Sequence, residues 1–363
     1  MLTPDLIQSL KDCPQNPEHH GEGDVWTHTQ MVLAELELDG LCAEDREVLE
    51  LAALLHDVAK PLCLQPDLSC PGHARKGSQM ARQLLYQRDF PWQRREQVCN
   101  LVRYHMVPYR LVDAPDWQRQ LFAMALTTRL DLLNLLARAD ARGRICKDQQ
   151  FLLNQIELFA QLARENPPQF ADDHSRVTYF LRGGDPERLV FHQPRCHVTL
   201  MAGLPAAGKD NWVARYGKGR PVISLDDLRE QMDVRPNEDQ GAVIQRAREQ
   251  AREWLRQGRD FIWNATNLSQ QLRQRILNLC FDYKANVTIV YVEAPLAEIE
   301  RRNQLRDRPV PGAVLEKMLR RWEVPDLQEA HQVDYVNVAK FVSANFSESR
   351  SDSARLAERD DVL

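Results

Sequence analysis

At 363 residues, with 43% hydrophobic and 27% charged side chains, the chain has the make-up of a soluble globular protein and is too long for one ordinary core, which points to two domains. Its net charge of -5 excludes a protein that coats nucleic acid through overall positive charge, although a single groove can still grip a phosphodiester. No apolar run approaches the roughly 20 residues that span a bilayer, and the start MLTPDLIQSLKDC has neither a basic nor a long apolar signal region, so the expectation is a cytoplasmic protein that makes no membrane contact.

In chain order, the first helix is expected from Thr27 to Leu38, where His28, Val32 and Leu36 recur at helical spacing. A second is expected from Asp45 to Ala59, with Val48, Leu51, Ala52, Leu55 and Val58 on one face and a stop before Pro61. His56 and Asp57 stand at its C-terminal end, where a buried carboxylate needs a partner or a metal. His73 follows in GHARKG, His105 at the end of a helix over 96–105, and Asp140 near the end of a helix over 130–141. Four histidines and two aspartates on successive helices can converge as imidazole and carboxylate ligands for divalent cations. Lys60, Arg75 and Lys76 are candidates to neutralise phosphate; Arg142 and Arg144 read as surface or structural residues, and His19 and His20 as residues of a polar loop outside the ligand set.

The order His28, His56-Asp57, His73, His105, Asp140, with HDVAK at 56–60, resembles the HD phosphohydrolase superfamily. The strings HTQMVL, GHARKG and ADARGR also look like the HD domain attached to some bacterial tRNA nucleotidyltransferases. The resemblance covers most of 20–145. It implies His28, His56, Asp57 and Asp140 as ligands of a first metal, such as manganese, nickel or cobalt, with Asp57 central to catalysis. His73 and His105 would reach a second metal or the scissile phosphate.

A further helix over 147–164 ends at Pro167 and Pro168, so the first domain is expected to span 1–167. Residues 168–195 read as a linker whose later part packs on the second domain. The pattern then changes to strands at 197–202, 221–225, 260–264 and 287–293, alternating with helices at 209–215, 238–257, 269–282, 295–304 and 312–322. Such alternation predicts a parallel sheet covered by helices. The second domain is placed at 196–340, with a short strand at 335–338 and a polar tail, 341–363, expected to be poorly ordered.

Between the first strand and its helix, GLPAAGKD satisfies the phosphate-loop pattern at Gly203, Gly208 and Lys209 but carries Asp210 where a serine or threonine normally meets magnesium. The glycines let backbone N–H groups face an anion at a helix N-terminus, and Lys209 adds a point charge. Asp226, at the tip of the next strand, is a candidate base for a hydroxyl nucleophile; the alternative for Asp226 and Asp227 is an ordinary helix-start charge. Arg229 suits bidentate contact with an acceptor phosphate. In IERRNQLRDRPVP, Arg306, and less directly Arg302 and Arg308, occupy the place of a lid that closes on ATP.

GLPAAGKD, SLDDLR, NATNLS and RRNQLRDRPVP together resemble the 5'-hydroxyl polynucleotide kinase family. That resemblance implies Gly203, Gly208, Lys209, Asp210, Arg302 and Arg306 as the ATP site with magnesium, Asp226 as general base and Arg229 as acceptor grip. An all-α HD-type domain followed by an α/β P-loop kinase domain is similar to the bifunctional bacterial end-healing HD-Pnk family. The similarity implies removal of 2',3'-cyclic, 2'- or 3'-phosphates from RNA or DNA ends, phosphorylation of 5'-hydroxyls, and cooperation with a ligase. A small-molecule kinase fused to a nucleotide phosphohydrolase, and a regulatory module with inactive sites, remain open on the residues alone.

Overall fold

The structure is a computed structural model, which describes residues 2–235, 238–306 and 308–337. The chain divides into two compact units, Met1–His192 with Glu316–His331, and Gln193–Leu315 with the stretch from Gln332 onward.

The first unit is helical: α1 Pro4–Lys11, α2 Val25–Ala34, α3 Ala43–Leu55, α4 His73–Tyr86, α5 Trp92–Tyr104, α6 Trp117–Ala125, α7 Leu130–Arg142, α8 Gln149–Glu165 and α9 Asp173–Arg182. α2 starts at Asp24, whose carboxylate accepts from the Thr27 N–H, a cap that fixes where His28 lies on the helix. The expected helix over 45–59 stops at Leu55. His56 is its C-cap, and the chain passes through a short 3-10 turn, Lys60–Leu62, containing Pro61, which has no N–H to continue a helix. α3 buries Val48, Leu49, Ala52, Ala53 and Leu55 against Val98, Leu101 and Val102 of α5 and Leu132, Leu133 and Leu136 of α7. Each such aliphatic side chain contributes about 1.5–3 kcal/mol on full burial. The ends of α3 and α5 are therefore held rigidly, and both end on a histidine.

The second unit is a sheet of five parallel strands in the order β2-β3-β1-β4-β5, with β1 His197–Ala202, β2 Val222–Ser224, β3 Phe261–Asn264, β4 Asn286–Glu293 and β5 Gln332–Asn337. β1 and β4 are buried almost throughout, as strands covered on both faces must be. The helices are α10 Lys209–Tyr216, α11 Leu225–Gln231, α12 Gly241–Arg256, α13 Gln270–Asp282, α14 Leu296–Gln304 and the first half of α15 Gly312–Leu319, whose residues from Glu316 onward fall in the helical unit. The loops after β1 and β3 and the start of α11, which follows β2 directly, leave the carboxyl edge of the sheet side by side, the edge at which open parallel sheets bind ligands.

Two expectations about organisation differ from the structure. The segment expected as a linker, up to His192, belongs to the helical unit, because Arg176 donates to the carbonyls of Leu327, Ala330 and His331 and Ser175 Oγ accepts from the Val190 N–H. The second domain is also discontinuous, since Glu316–His331 belongs to the helical unit, where Trp322 packs edge-on to Tyr86 at 4.9 Å. The expected strand at 335–338 starts three residues earlier, and residue 338 and the tail at 341–363 lie outside the described residues.

Candidate active sites

In the helical unit, the first turn of α2, the C-terminal ends of α3, α5 and α7 and the start of α4 bring all six expected ligands together. Asp57, 3% exposed, is the hub: its Oδ2 lies 3.2 Å from His56 Nε2 and 3.9 Å from His28 Nε2, and its Oδ1 lies 3.3 Å from His73 Nε2 and 3.7 Å from His105 Nε2. His28 Nε2 is 3.0 Å from Asp140 Oδ1, and His73 Nε2 is 3.3 Å from His105 Nε2. Two donors bound at right angles about 2.1 Å from one cation stand about 3.0 Å apart, so these separations are near those of ligands sharing an ion.

The other ring nitrogens are anchored. His56 Nδ1 faces the Ala53 carbonyl at 2.7 Å, His105 Nδ1 the Val102 carbonyl at 2.7 Å, and His73 Nδ1 the Cys70 carbonyl at 2.8 Å. Each arrangement orients the Nε2 lone pair toward Asp57, the usual second-shell device of imidazole ligands. His56 Nε2 and Asp57 Oδ1 are buried yet have no hydrogen-bond partner among the described residues, a costly condition that a cation would relieve. The donor set, imidazoles and carboxylates, suits such an ion.

The electrostatics follow from burial and crowding. Burial, together with the neighbouring His73, pushes His105 down to about 3, so its imidazole is neutral and able to donate a lone pair. Burial works against the Asp57 carboxylate, but Lys60 and His56 overcome it and hold the group well below the usual range. Lys60 Nζ lies 2.7 Å from Asp57 Oδ2 and donates to Gln15 Oε1 at 2.5 Å. Lys60 is therefore part of the site, whereas Arg75 pairs with Glu323 at 2.7 Å and Lys76 reaches the Leu62 carbonyl.

Sequence reasoning missed several residues. Arg144, read as surface or structural, is buried and forks onto Asp140 at 3.0 and 2.8 Å, while the Tyr109 hydroxyl donates to Asp140 Oδ2 at 2.7 Å. His20, assigned to a polar loop, is buried; its Nδ1 lies 2.9 Å from Glu22 Oε1, which is also 2.8 Å from His28 Nδ1. Burial lowers His20 to about 4. The one available signal was spacing, because Arg144 follows Asp140 by four residues, a helical-face pair.

In the second unit, the phosphate loop leaves β1 with Gly203 at φ +142, where an added Cβ would stand 2.2 Å from the Val292 carbonyl oxygen. Gly208, φ +107, is the N-cap of α10. Lys209 is buried and donates to the carbonyls of Gly203 and Leu204 at 3.0 and 2.8 Å; burial lowers it to about 8. Asp210 Oδ1 accepts from Asn264 Nδ2 at 2.6 Å, joining the loop to the tip of β3, and the Oδ1 of Asn264 is buried without a hydrogen-bond partner among the described residues.

Asp226 lies in the first turn of α11, which Ser224 caps; its side chain is 73% exposed and ion-paired to Arg229, whose Nε donates to Gln240 at 2.6 Å. Arg302, on α14, pairs with Glu298 at 2.6 Å and reaches the loop carbonyls of Ala206 and Ala207 at 3.5 and 3.4 Å. Arg306 and Arg308 follow α14 and are exposed; the Arg306 charge is felt at Lys209, where it favours the neutral amine.

Comparison with known proteins agrees with both halves. The model of the HD domain matches residues 24–142, and that of an AAA domain matches residues 198–325. The chain is 35% identical over 145 residues to the Multifunctional CCA protein of Halorhodospira halophila, covering 38% of this chain and 34% of that protein. It is 20% identical over 158 residues to the L-seryl-tRNA(Sec) kinase of Methanococcus maripaludis, covering 42% and 62%. A sugar kinase structure from Janibacter sp. is 17% identical, with a TM-score of 0.32, covering 40% of this chain and 87% of that one. The chain thus spans about a third of the first of these relatives. The fold is an N-terminal helical HD domain followed by an α/β domain of the P-loop kinase type with a five-stranded parallel sheet. Among the described residues no helix is long and apolar enough to cross a membrane.

Proposed function

We propose that the chain heals broken nucleic-acid ends in the manner of the HD-Pnk family, removing phosphates from 2',3' ends in its helical unit and phosphorylating 5'-hydroxyls in its α/β unit. The observation that carries this reading is the pairing of two chemistries in one chain: a carboxylate ringed by four imidazoles, and a phosphate loop accompanied by Asp226, in the first turn of the helix after β2, beside Arg229. A relative named as a kinase of seryl-tRNA favours a hydroxyl carried on RNA as the acceptor.

In the helical unit, His28, His56, Asp57 and Asp140 would hold a first divalent cation, and His73 with His105 a second or the scissile phosphate. Such a cation generates a nucleophilic hydroxide near neutral pH and stabilises charge on phosphoryl oxygens. Arg144 and Tyr109 orient Asp140, Glu22 and His20 orient His28, and Lys60 offsets the charge of Asp57.

In the α/β unit, the loop N–H groups and Lys209 bind the ATP phosphates, with Lys209 released from the loop carbonyls that now accept its protons. Asp226 takes the proton of the 5'-hydroxyl as that oxygen bonds the γ-phosphorus and the bond to the bridging oxygen of ADP breaks. Arg229 grips the acceptor's phosphate, and Arg302 and Arg306 neutralise the transferring group. Magnesium accompanies ATP, and Asp210 with Asn264 would face it. In P-loop enzymes a hydroxyl on the loop and an aspartate at a strand tip share that task. Here the carboxylate is on the loop and the strand tip carries an amide whose oxygen lacks a partner among the described residues.

One RNA oligomer bearing a 5'-hydroxyl and a 2',3'-cyclic phosphate tests both halves. With ATP and magnesium, manganese, nickel or cobalt, labelled phosphate should enter the 5' end and the cyclic phosphate should leave. Failure of transfer to several RNA and DNA oligomers, with transfer to a small alcohol instead, would favour a small-molecule kinase. Inactivity of both halves with every metal would favour a regulatory module. Cooperation with a ligase follows from the products, a 3'-hydroxyl and a 5'-phosphate.

A further inference from the structure

Eight of the ten histidines fall into two groups. Five surround Asp57 and Glu22; the other three, His174, His192 and His331, meet elsewhere in the helical unit, and neither half of the proposed chemistry uses them. His174 is in the first turn of α9, His192 ends the irregular segment after it, and His331 ends the segment Glu316–His331. His331 is 5% exposed and the other two are half-buried. One ring nitrogen from each lies within 4.8 Å of the others.

The three segments are tied together by groups from one helix. Asp172 caps α9 by accepting from the Ser175 N–H at 2.6 Å. Ser175 Oγ accepts from the Val190 N–H at 3.0 Å, fixing the approach of His192. Arg176 donates to the carbonyls of Leu327, Ala330 and His331 at 3.0, 3.2 and 2.7 Å, fixing the backbone of His331. His174 Nδ1 lies 3.1 Å from His331 Nε2, and its Nε2 is 3.3 Å from Thr178 Oγ1, one turn along. With His174 Nε2–H donating to Thr178 Oγ1, the Nδ1 lone pair points into the cluster, the way a hydrogen bond on the far nitrogen orients an imidazole ligand.

We propose that His174, His192 and His331 bind one divalent cation of the borderline class, with zinc, nickel or cobalt as its members, and that this ion staples α9 to both segments. Three neutral imidazoles without a carboxylate select such ions over magnesium or calcium. Burial and mutual proximity lower His174 and bring His331 down to about 4, which favours the neutral ring at those two positions. Imidazole nitrogens about 2.0–2.1 Å from a tetrahedral zinc stand about 3.3 Å apart. The His174–His331 pair is already near that separation, so His192 completes the set by moving inward. The rings are now stacked, His174 on His192 at 3.7 Å with planes 5° apart and His331 within 17° of both. An ion must lie in the plane of every ring it binds, so coordination turns the half-buried His192 out of its stack on His174, while His174, held by Thr178, and the buried His331 stay.

The test uses the full chain carrying His56→Ala and Asp57→Ala, which weakens the first cluster, and compares it with the same chain also carrying His192→Gln. Equilibrium dialysis against zinc or cobalt should leave one more ion per chain in the parent, and cobalt should give the visible bands of a nitrogen-ligated site. His192→Gln should lower that affinity by more than about 100-fold, and Thr178→Val by about 10- to 100-fold, the range for losing a hydrogen bond that orients a ligand. Zinc should raise the melting temperature of the parent and not of His192→Gln. Equal metal content with and without His192 would overturn the assignment, leaving a hydrogen-bonded imidazole stack. Absence of cobalt bands in the parent would overturn it without recourse to a variant. Equal melting temperatures of parent and variant in chelator establish that the substitution acts through the ion and not through folding.

Discussion

If the loop carboxylate and the strand-tip amide have exchanged the usual roles, they are energetically coupled and a double-mutant cycle will detect it. The native pair carries one negative charge, on Asp210, with Asn264 Nδ2 donating to it at 2.6 Å. Asp210→Ser leaves none, Asn264→Asp gives two, and the double variant restores one at the strand tip. Two unit charges about 4 Å apart interact by about 1 kcal/mol in water and about 4 kcal/mol at the effective dielectric of a protein surface. Asp210 is exposed, so the lower half of that range applies, about 1–2 kcal/mol, or about 5- to 30-fold in binding. ATP binding by calorimetry across magnesium concentrations, with manganese resonance as a direct readout of the ion, should place the half-saturating metal about 5- to 30-fold higher for Asp210→Ser. Asn264→Asp should weaken metal-free ATP binding by a similar factor, and the double variant should return to within about threefold of native. If the single effects add to within about 0.5 kcal/mol, the two residues act independently and the exchanged-role reading fails.

Gly203→Ala should abolish ATP binding while leaving phosphate release from cyclic ends intact, because its Cβ would stand 2.2 Å from the Val292 oxygen at a φ few side chains adopt; assays of both activities check it, and native nucleotide affinity would refute it. His56→Ala or Asp57→Ala should remove phosphoesterase activity and spare kinase activity, and Lys209→Ala or Asp226→Ala should do the reverse; loss of both in any single variant would mean that the halves are not separable. Glu96, buried and gripped by Arg82 at 2.8 Å and Arg95 at 2.8 Å, has its carboxyl held down by those arginines against burial. Its folded value lies below its unfolded one, so the unfolded chain binds more protons, and the stability present above about pH 4.5 drains away as pH falls through the folded value. Glu96→Gln should cost about 3–5 kcal/mol at pH 7, the range for breaking a buried pair, and flatten that acid limb in urea titrations.

Much of the fold was legible because its signals are local. Strand β1 was placed to the residue, and the ends of α7, α10 and α13 to within one, since glycine, proline and apolar period mark them within a few positions. The short helices α1, α6, α9 and α11 escaped, as a single amphipathic face of seven to ten residues gives little periodicity to read. Asp226 was expected on a strand tip and lies in the first turn of α11, since Ser224 caps the helix there and ends β2 after three residues. The alternative of a helix-start charge is therefore realised structurally, but it does not compete with a role as base, because the side chain remains open to solvent.

What stayed hidden has no local pattern or depends on partners far apart in sequence. The six candidate HD ligands were readable since each sits in a recognisable string, yet Glu22 on His28 and Tyr109 on Asp140, only 6 and 31 residues from the groups they touch, carry no pattern. The return of Glu316–His331 to the helical unit was harder still. The apolar period of α15 ends at Leu319, and nothing within that segment reveals that Arg82, on α4, donates to the Trp322 carbonyl at 3.2 Å or that Arg95, on α5, lies 5.0 Å above the Trp322 ring. A buried arginine with a carboxylate, a carbonyl and an aromatic face is a long-range solution to one charge, and only the folded chain contains it. The same logic explains the tri-histidine cluster: three isolated histidines at 174, 192 and 331 look like ordinary surface residues until Arg176 and Ser175 draw their segments onto one helix. The residues that make such clusters legible are therefore the tethers rather than the ligands, and Arg176→Ala should loosen the cluster without touching an imidazole, lowering its cobalt affinity by about 10- to 100-fold as the loss of an outer-shell support does. Unchanged cobalt binding in that variant would mean that the segments find one another without the arginine.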